Sequence, residues 1–381
     1  VGDDLSEEEL VARLAGLVGQ RAKGTGTAHV GNSPEWPPPA DEVWIGDDAA
    51  VVASPKGALL FAVDAVVSDV HLDMSLGTLA DLGWRAVVAN LSDLAAMGGR
   101  PGHALVSVVA PRGTDLELIY RGIADASRRF GCPVVGGDLV STGPKLNEPA
   151  SGLSEGTGPT VVTVAVTGRC DRPVLRSGAR PGDCIYVTGP LGASAAGRAR
   201  KGRLLSAYLR PVPRLAAGEA ARLAGATAMI DVSDGFALDL HRLADASGVG
   251  FELEKIPVAD GATLEEALGG GEDYELVFTA GDPVCVEQTF RSMAQSPAGS
   301  RGASREETAG SRGASREESA GSRGAFREET AGSRGASREE SADDGLLRPP
   351  VMVGVCTADP GRRTLDGADL ARLGWQHGFG S

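Results

Sequence analysis

Apolar residues recur at helical spacing over two long stretches, 79–97 and 115–130. Around them lie short apolar runs of strand character at 49–52, 58–63, 103–109 and 160–166. This interleaving predicts one α/β domain. A turn-rich linker follows at 169–182, and the pattern then repeats, with strand-like runs at 184–188, 228–232, 275–279 and 351–355 and helical patterns near 212–223 and 236–246. A second α/β domain is therefore expected. Ahead of both domains, residues 5–17 have helical spacing, and Pro37-Pro38-Pro39 rules out regular structure before order resumes near Glu42. On the pattern from Trp84, the residues Val87, Val88, Leu91, Leu94 and Ala95 form the apolar face, and Asn90, Asp93 and Met97 fall on the other side.

One segment breaks the pattern. From Ala298 to Ser341 an 11-residue unit, Ala-Gly-Ser-Arg-Gly-Ala-Ser-Arg-Glu-Glu-Thr, occurs four times with only Phe326 and Thr/Ser alternation as changes. Balanced charge and almost no apolar side chains leave it nothing to bury, so it reads as a flexible insertion within the second domain. Composition narrows the function classes. The chain has 381 residues, 42% hydrophobic and 23% charged, with 37 basic against 51 acidic side chains and a formal net charge of −14. That balance argues against nucleic acid or an anionic membrane as a partner. The five cysteines are isolated from one another, with neither zinc spacing nor a disulfide framework. With no basic-then-apolar leader and no apolar run of spanning length, a reducing cytoplasm is the expected setting.

Four clusters of acidic and small residues carry the candidate chemistry: Gly46-Asp47-Asp48, Asn90 to Gly98, Asp231-Val232-Ser233-Asp234-Gly235, and Gly269-Gly270-Gly271-Glu272-Asp273-Tyr274-Glu275. Each stands where an apolar run meets a turn, the place where α/β folds expose ligand-binding groups. Asp64 follows the apolar run 59–63, and Gly136-Gly137-Asp138 follows Val134-Val135, the glycines reading as room for a ligand beside the backbone. Taken singly, each acid is also explained as a turn residue, a strand terminator or a helix cap. Oxygen-only ligands collected from several strand ends suit Mg²⁺, which shares its remaining positions with water and phosphate. No Walker-type loop, Rossmann glycine fingerprint or nucleophile elbow is present, so a nucleotide would be bound by another fold.

With these clusters in this order, the chain resembles the thiamine-monophosphate kinase family, within the superfamily of aminoimidazole ribonucleotide synthetase. The run Val88 to Gly98, Gly136-Gly137-Asp138, the segment Arg176 to Asp183 and Gly270-Gly271-Glu272-Asp273-Tyr274-Glu275-Leu276 carry the likeness. The resemblance implies a two-domain α/β fold with mixed sheets packed with helices: a helix and flexible segment over 1–40, an ATP-binding and dimerisation domain over 41–168, and a C-terminal domain over 169–381. It implies ATP-dependent, Mg²⁺-assisted phosphorylation of thiamine monophosphate to the diphosphate by a homodimer, with no side chain acting as general base. Asp48, Asp64, Asp93, Asp138, Asp231 and Asp234 fall on the family's Mg²⁺ ligands. Tyr120, Gly137, Asp138, Arg176 and Ser233 fall on ATP positions, and His71, Glu272 and Trp375 on substrate positions. Ala62-Val63 stands where the family usually has hydroxyl residues, and Leu139-Val140 where it commonly has threonines. The rival readings are another ATP-using member of the superfamily and a non-catalytic nucleotide-binding protein.

Overall fold

The computed structural model describes residues 57–142, 158–200, 202–295 and 347–375, with residues 50–54 described by their backbone. The expected helix at 5–17, Asp47 and Asp48, and the repeat at 298–341 lie outside the described residues.

In chain order the first domain runs β1 (Ala50–Ser54), β2 (Gly57–Val67), α1 (Leu79–Ala96), β3 (Arg100–Pro111), α2 (Leu116–Phe130), β4 (Val134–Thr142) and β5 (Val161–Cys170). The strands form one sheet in the order β1-β2-β5-β3-β4, antiparallel except for the parallel pair β3–β4. Helix α1 starts at a reciprocal capping box between Thr78 and Asp81, which satisfies donors that the first turn cannot pair internally. Helix α2 is capped by Asp115 and stopped by Gly131 at φ 69°.

The polar side of α1 does not face solvent as its pattern suggested. Asn90 and Met97 are fully buried, and along the whole helix only Leu79 and Asp93 are even partly exposed. One side packs on β2 and β5, another on α2, and the remainder against the second domain. A helix enclosed on all sides needs no polar face, so its periodicity misreports its surroundings.

The glycine pair before Asp138, read as room for a ligand beside the backbone, lies inside a strand. β4 passes straight through Gly136, Gly137 and Asp138 to Thr142. A Cβ on Gly137 would overlap the Val106 carbonyl oxygen of β3, so strand packing alone requires glycine there.

The second domain continues with β6 (Cys184–Val187), α3 (Ala193–Arg200), a short 3₁₀ turn, α4 (Leu205–Leu209), α5 (Leu215–Leu223), β7 (Ala228–Asp231), α6 (Phe236–Ser247), β8 (Gly250–Leu253), α7 (Leu264–Gly269), β9 (Leu276–Ala280), α8 (Pro283–Gln295), β10 (Val351–Thr357), β11 (Arg363–Leu365) and β12 (Ala368–Asp369). Its mixed seven-stranded sheet has the order β12-β11-β8-β10-β6-β9-β7. β10 lies between β8 and β6, so the chain re-enters the centre of this sheet after the repeat. The two domains share packing. Ala95 and Ala96 of α1 join Ala217, Ala220 and Ala221 of α5 and Phe278 of β9 in one buried cluster, and α5 comes so near that a Cβ on Gly218 would overlap the Ala95 carbonyl oxygen. Among the described residues, no helix is long and apolar enough to cross a membrane.

Candidate active site

Three loops of the second domain are stitched together by their backbones. Glu272 N–H donates to Ser233 O at 2.7 Å, Tyr274 N–H to Val232 O at 2.9 Å, and Trp375 N–H to Asp234 O at 2.7 Å. The acid-rich loop after β7, the glycine-rich loop before β9 and the segment around Trp375 are thus tied directly to one another. Beside them, the turn after β2 brings His71, whose ring edge meets Trp375 with centroids 5.7 Å apart. Val67 N–H donates to His71 Nδ1 at 3.0 Å, which places the proton of a neutral ring on Nε2.

Between these elements opens a cavity of about 480 Å³. His71, Glu272, Trp375 and Ser233 line it together with Asp73, Ser194, Arg198, Tyr208 and Gly269 to Gly271. That volume is in the range of small-molecule sites. Residues expected at the substrate from three distant parts of the sequence therefore wall one space.

The glycine-rich run places each of its polar members differently. Glu272 meets the Arg85 guanidinium in an ion pair across the domains. Asp273 accepts Gly192 N–H at 2.6 Å and Ser194 N–H at 3.0 Å at the start of α3. Tyr274 is buried in the first domain's core, and Glu275 pairs with Arg214 at 2.6 Å. Glu272 and Tyr274 adopt φ of 65° and 51°, a left-handed backbone that costs non-glycine residues energy and persists where surrounding contacts enforce it.

Burial pushes the Asp273 carboxyl up to about 7, against the pull of the Ser194 and Gly192 amides. A folded-state value raised above the usual 3.9 means that this group favours folding most at low pH and loses that contribution as pH rises through 7. Asp273→Asn keeps an acceptor for the amides and removes the titration. Its melting temperature relative to wild type is expected to improve steadily from pH 4 to pH 8; a constant offset would contradict the assignment.

The expected metal ligands fall into separate groups. Ser92 Oγ donates to Asp231 Oδ2 at 2.7 Å, drawing the helix turn that carries Asp93 against the end of β7. Asp64 lies in β2 on the same side of the pleat as buried Leu60, Ala62 and Val66, yet is itself exposed, so the core opens at that point. Burial, followed by the charges of Glu272, Asp64 and Asp231, holds the Tyr274 phenol protonated well above its ordinary range, with Arg85 opposing. Asp64 and Asp231 thus share one electrostatic neighbourhood. Asn90, one turn before Asp93 on the same helix face, has a buried Oδ1 with no hydrogen-bond partner among the described residues.

Asp234 pairs with Arg242. Beside it, Asp239 accepts the N–H groups of Ser233, Asp234 and Gly235 at 3.0 to 3.1 Å, and burial with the Asp234 charge pushes it up to about 7 against Arg242. The Arg176 charge also reaches Asp239, and its carbonyl accepts Ser247 Oγ at 2.7 Å. Tyr120 on α2 and Gly137 and Asp138 on β4 lie outside the cavity lining. Among the described residues, no three His, Cys, Asp or Glu side chains form a ready-made metal cluster.

Sequence reasoning passed over Arg85, Tyr208 and Asp239, and gave Asp273 no role of its own within its cluster. A signal existed for the first: Arg85 is a lone cation inside the apolar run Trp84 to Val88.

Comparison with known proteins finds the same two-part organisation. Residues 46–170 match the AIR synthase related protein, N-terminal domain, and residues 180–292 the corresponding C-terminal domain. Thiamine-monophosphate kinase of Rhodopirellula baltica is 35% identical over 264 residues, 63% of this chain and 76% of that protein. The Bacillus subtilis thiamine-monophosphate kinase is 34% identical over 265 residues, 62% of this chain and 77% of that protein. A solved structure of AaThiL complexed with AMPPCP and TMP shares the fold at a TM-score of 0.65 and 24% identity, over 98% of this chain and 97% of that one.

Proposed function

The chain belongs to the thiamine-monophosphate kinase family, and from that membership we propose that it transfers the γ-phosphoryl group of ATP to the phosphate of thiamine monophosphate, giving thiamine diphosphate. The observation that supports this most is that His71, Glu272 and Trp375 wall the same cavity. Its aromatic edge suits a flat heteroaromatic ring, and its carboxylate suits an N–H donor or a cationic ring.

The attacking oxygen belongs to a phosphate that is already anionic at neutral pH, so no side chain has to remove a proton. What the protein must supply is alignment and relief of repulsion between two polyanions. Ser233 lines the cavity on the loop that carries Asp231 and Asp234, so the acceptor phosphate would lie toward those acids. Asp239 holds that loop rigid through its three backbone hydrogen bonds.

The donor set fits Mg²⁺: all its groups are oxygens, Asp64 and Asp231 share one neighbourhood, and the buried Asn90 Oδ1 lies near Asp93. Mg²⁺ takes one or two carboxylates together with phosphate oxygens rather than an all-protein cage, consistent with acids that are grouped loosely. Asp64, Asp93, Asp231 and Asp234 would hold it, with Asp48 and Asp138 as further candidates. Bound there, it would neutralise phosphate charge and orient an in-line transfer. Tyr120, Gly137, Asp138 and Arg176 are proposed to serve ATP. Steady-state turnover tests the reading: thiamine diphosphate should form from thiamine monophosphate and ATP with Mg²⁺ and cease with EDTA. Absence of product while ATP still binds would return the weight to another reaction of the superfamily.

A homodimer is proposed through the face of the first sheet turned away from α1. Val63, Ala165, Leu105 and Gly136 lie in register across β2, β5, β3 and β4. Val63 is 64% and Leu105 52% exposed, and every residue of the edge strand β4 is exposed. An apolar row on a sheet whose edge strand pairs with no further strand among the described residues suits contact with a second copy. Leu105→Glu should shift sedimentation from dimer to monomer; an unchanged dimer would place the interface elsewhere.

A further inference from the structure

We propose that Arg85 is a positioning residue of the substrate pocket, holding one oxygen of the Glu272 carboxylate from behind so that the other is presented to an N–H donor of the ligand. The inference rests on the reading of this cavity as the thiamine monophosphate site, and it assigns a role to a side chain that does not itself line the cavity.

Arg85 is 0% exposed, in the middle of a helix enclosed on every side. A guanidinium there is tolerated only if paired and hydrogen-bonded. Burial works against its charge, but Glu272 and Tyr274 outweigh that and keep it above its ordinary range. The pairing crosses the domain boundary twice: Nη2 binds Glu272 Oε1 and Nη1 binds the Tyr208 carbonyl oxygen. The guanidinium also lies 5.0 Å from the centroid of the Tyr208 ring.

Both partners are cavity walls. Tyr208 is fixed from its other end as well, because its hydroxyl accepts Asp73 N–H at 2.8 Å. Glu272 has its backbone held at φ 65° and its Oε1 occupied by Arg85, while its Oε2 takes no hydrogen bond from the described protein residues. One oxygen held and one presented is the geometry of an acceptor prepared for a single N–H group. The exocyclic amine of an aminopyrimidine is such a donor, and in a half-buried site a misaligned acceptor would be left unsatisfied. Lysine cannot replace this arginine without loss, because a single ammonium lacks the planar fork that serves the carboxylate and the Tyr208 carbonyl together.

The alternative is that Arg85 only joins the domains. Substrate selectivity separates the two. Arg85→Lys, and Arg85→Gln as a second variant in case the first folds poorly, should raise KM for thiamine monophosphate about tenfold or more, exceeding any change in KM for ATP. Glu272→Gln should do the same, and Arg85→Lys combined with Glu272→Gln should be no worse than the poorer single variant. With a thiamine monophosphate analogue lacking the exocyclic amine, the variants and the wild type should converge. Equal rises in KM for both substrates, or an undiminished penalty with the analogue, would overturn the positioning role while leaving the kinase reading intact. A wild-type KM in Glu272→Gln would instead remove the assignment of this pocket wall to substrate, and the proposal with it.

Discussion

Asp231→Asn is expected to lower kcat/KM for thiamine monophosphate by roughly two to three orders of magnitude with little change in fold. Asp231 is 2% exposed at the end of β7, and its Oδ2 accepts the Ser92 hydroxyl at 2.7 Å. Asparagine fills the same volume and can still accept that bond, so the tie between α1 and β7 survives while the charge is lost. A group needed only for structure would tolerate the exchange; a charge required to hold a cation between two polyanions would not. The measurement is initial rate against Mg²⁺ concentration, with circular dichroism and thermal unfolding as controls. Partial recovery at high Mg²⁺ is the expected signature, and wild-type rates at limiting Mg²⁺ would remove Asp231 from the metal set.

Trp375→Ala should weaken thiamine monophosphate by about 10- to 100-fold in KM and leave ATP almost untouched. The indole stands at the cavity wall 44% exposed, with the His71 ring against it at an interplanar angle of 78°. A tryptophan left half in solvent has apolar surface available to cover a ring, and covering it is worth about 1.5–3 kcal/mol. Because its backbone bond to Asp234 O does not depend on the side chain, truncation should spare the loop. Trp375→Phe should recover much of the loss; equal affinity in the alanine variant would assign the ring-binding surface elsewhere.

The difference between these two residues shows how far the chain could be read without its structure. Asp231 stands in a dense motif beside an apolar run, and such a junction is visible in one dimension. Trp375 is a single aromatic residue, and only the resemblance to a family drew it into the site. Arg85 was visible as an anomaly, a cation inside an apolar helix, but nothing local indicates that its counter-charge lies at position 272. Asp239 carries no signal in the sequence, because three backbone amides converging on it are a property of a folded loop.

Gly137 shows the converse. Its motif suggested space for a ligand, and the structure adds a reason the sequence does not carry, the neighbouring Val106 carbonyl that requires glycine there.

By itself the sequence determined the alternation of strands and helices, the two-domain organisation, the interruption by a charged repeat and the identity of the acid clusters. These depend on local periodicity, turn chemistry and residue type, all of which act over a few positions. Only the tertiary structure decided that α1 has no solvent face, that Glu272 answers to Arg85, and that His71, Glu272 and Trp375 wall one cavity. Those outcomes come from packing one domain against another, where contacts between residues hundreds of positions apart are set by shape and by the need to pair every buried charge.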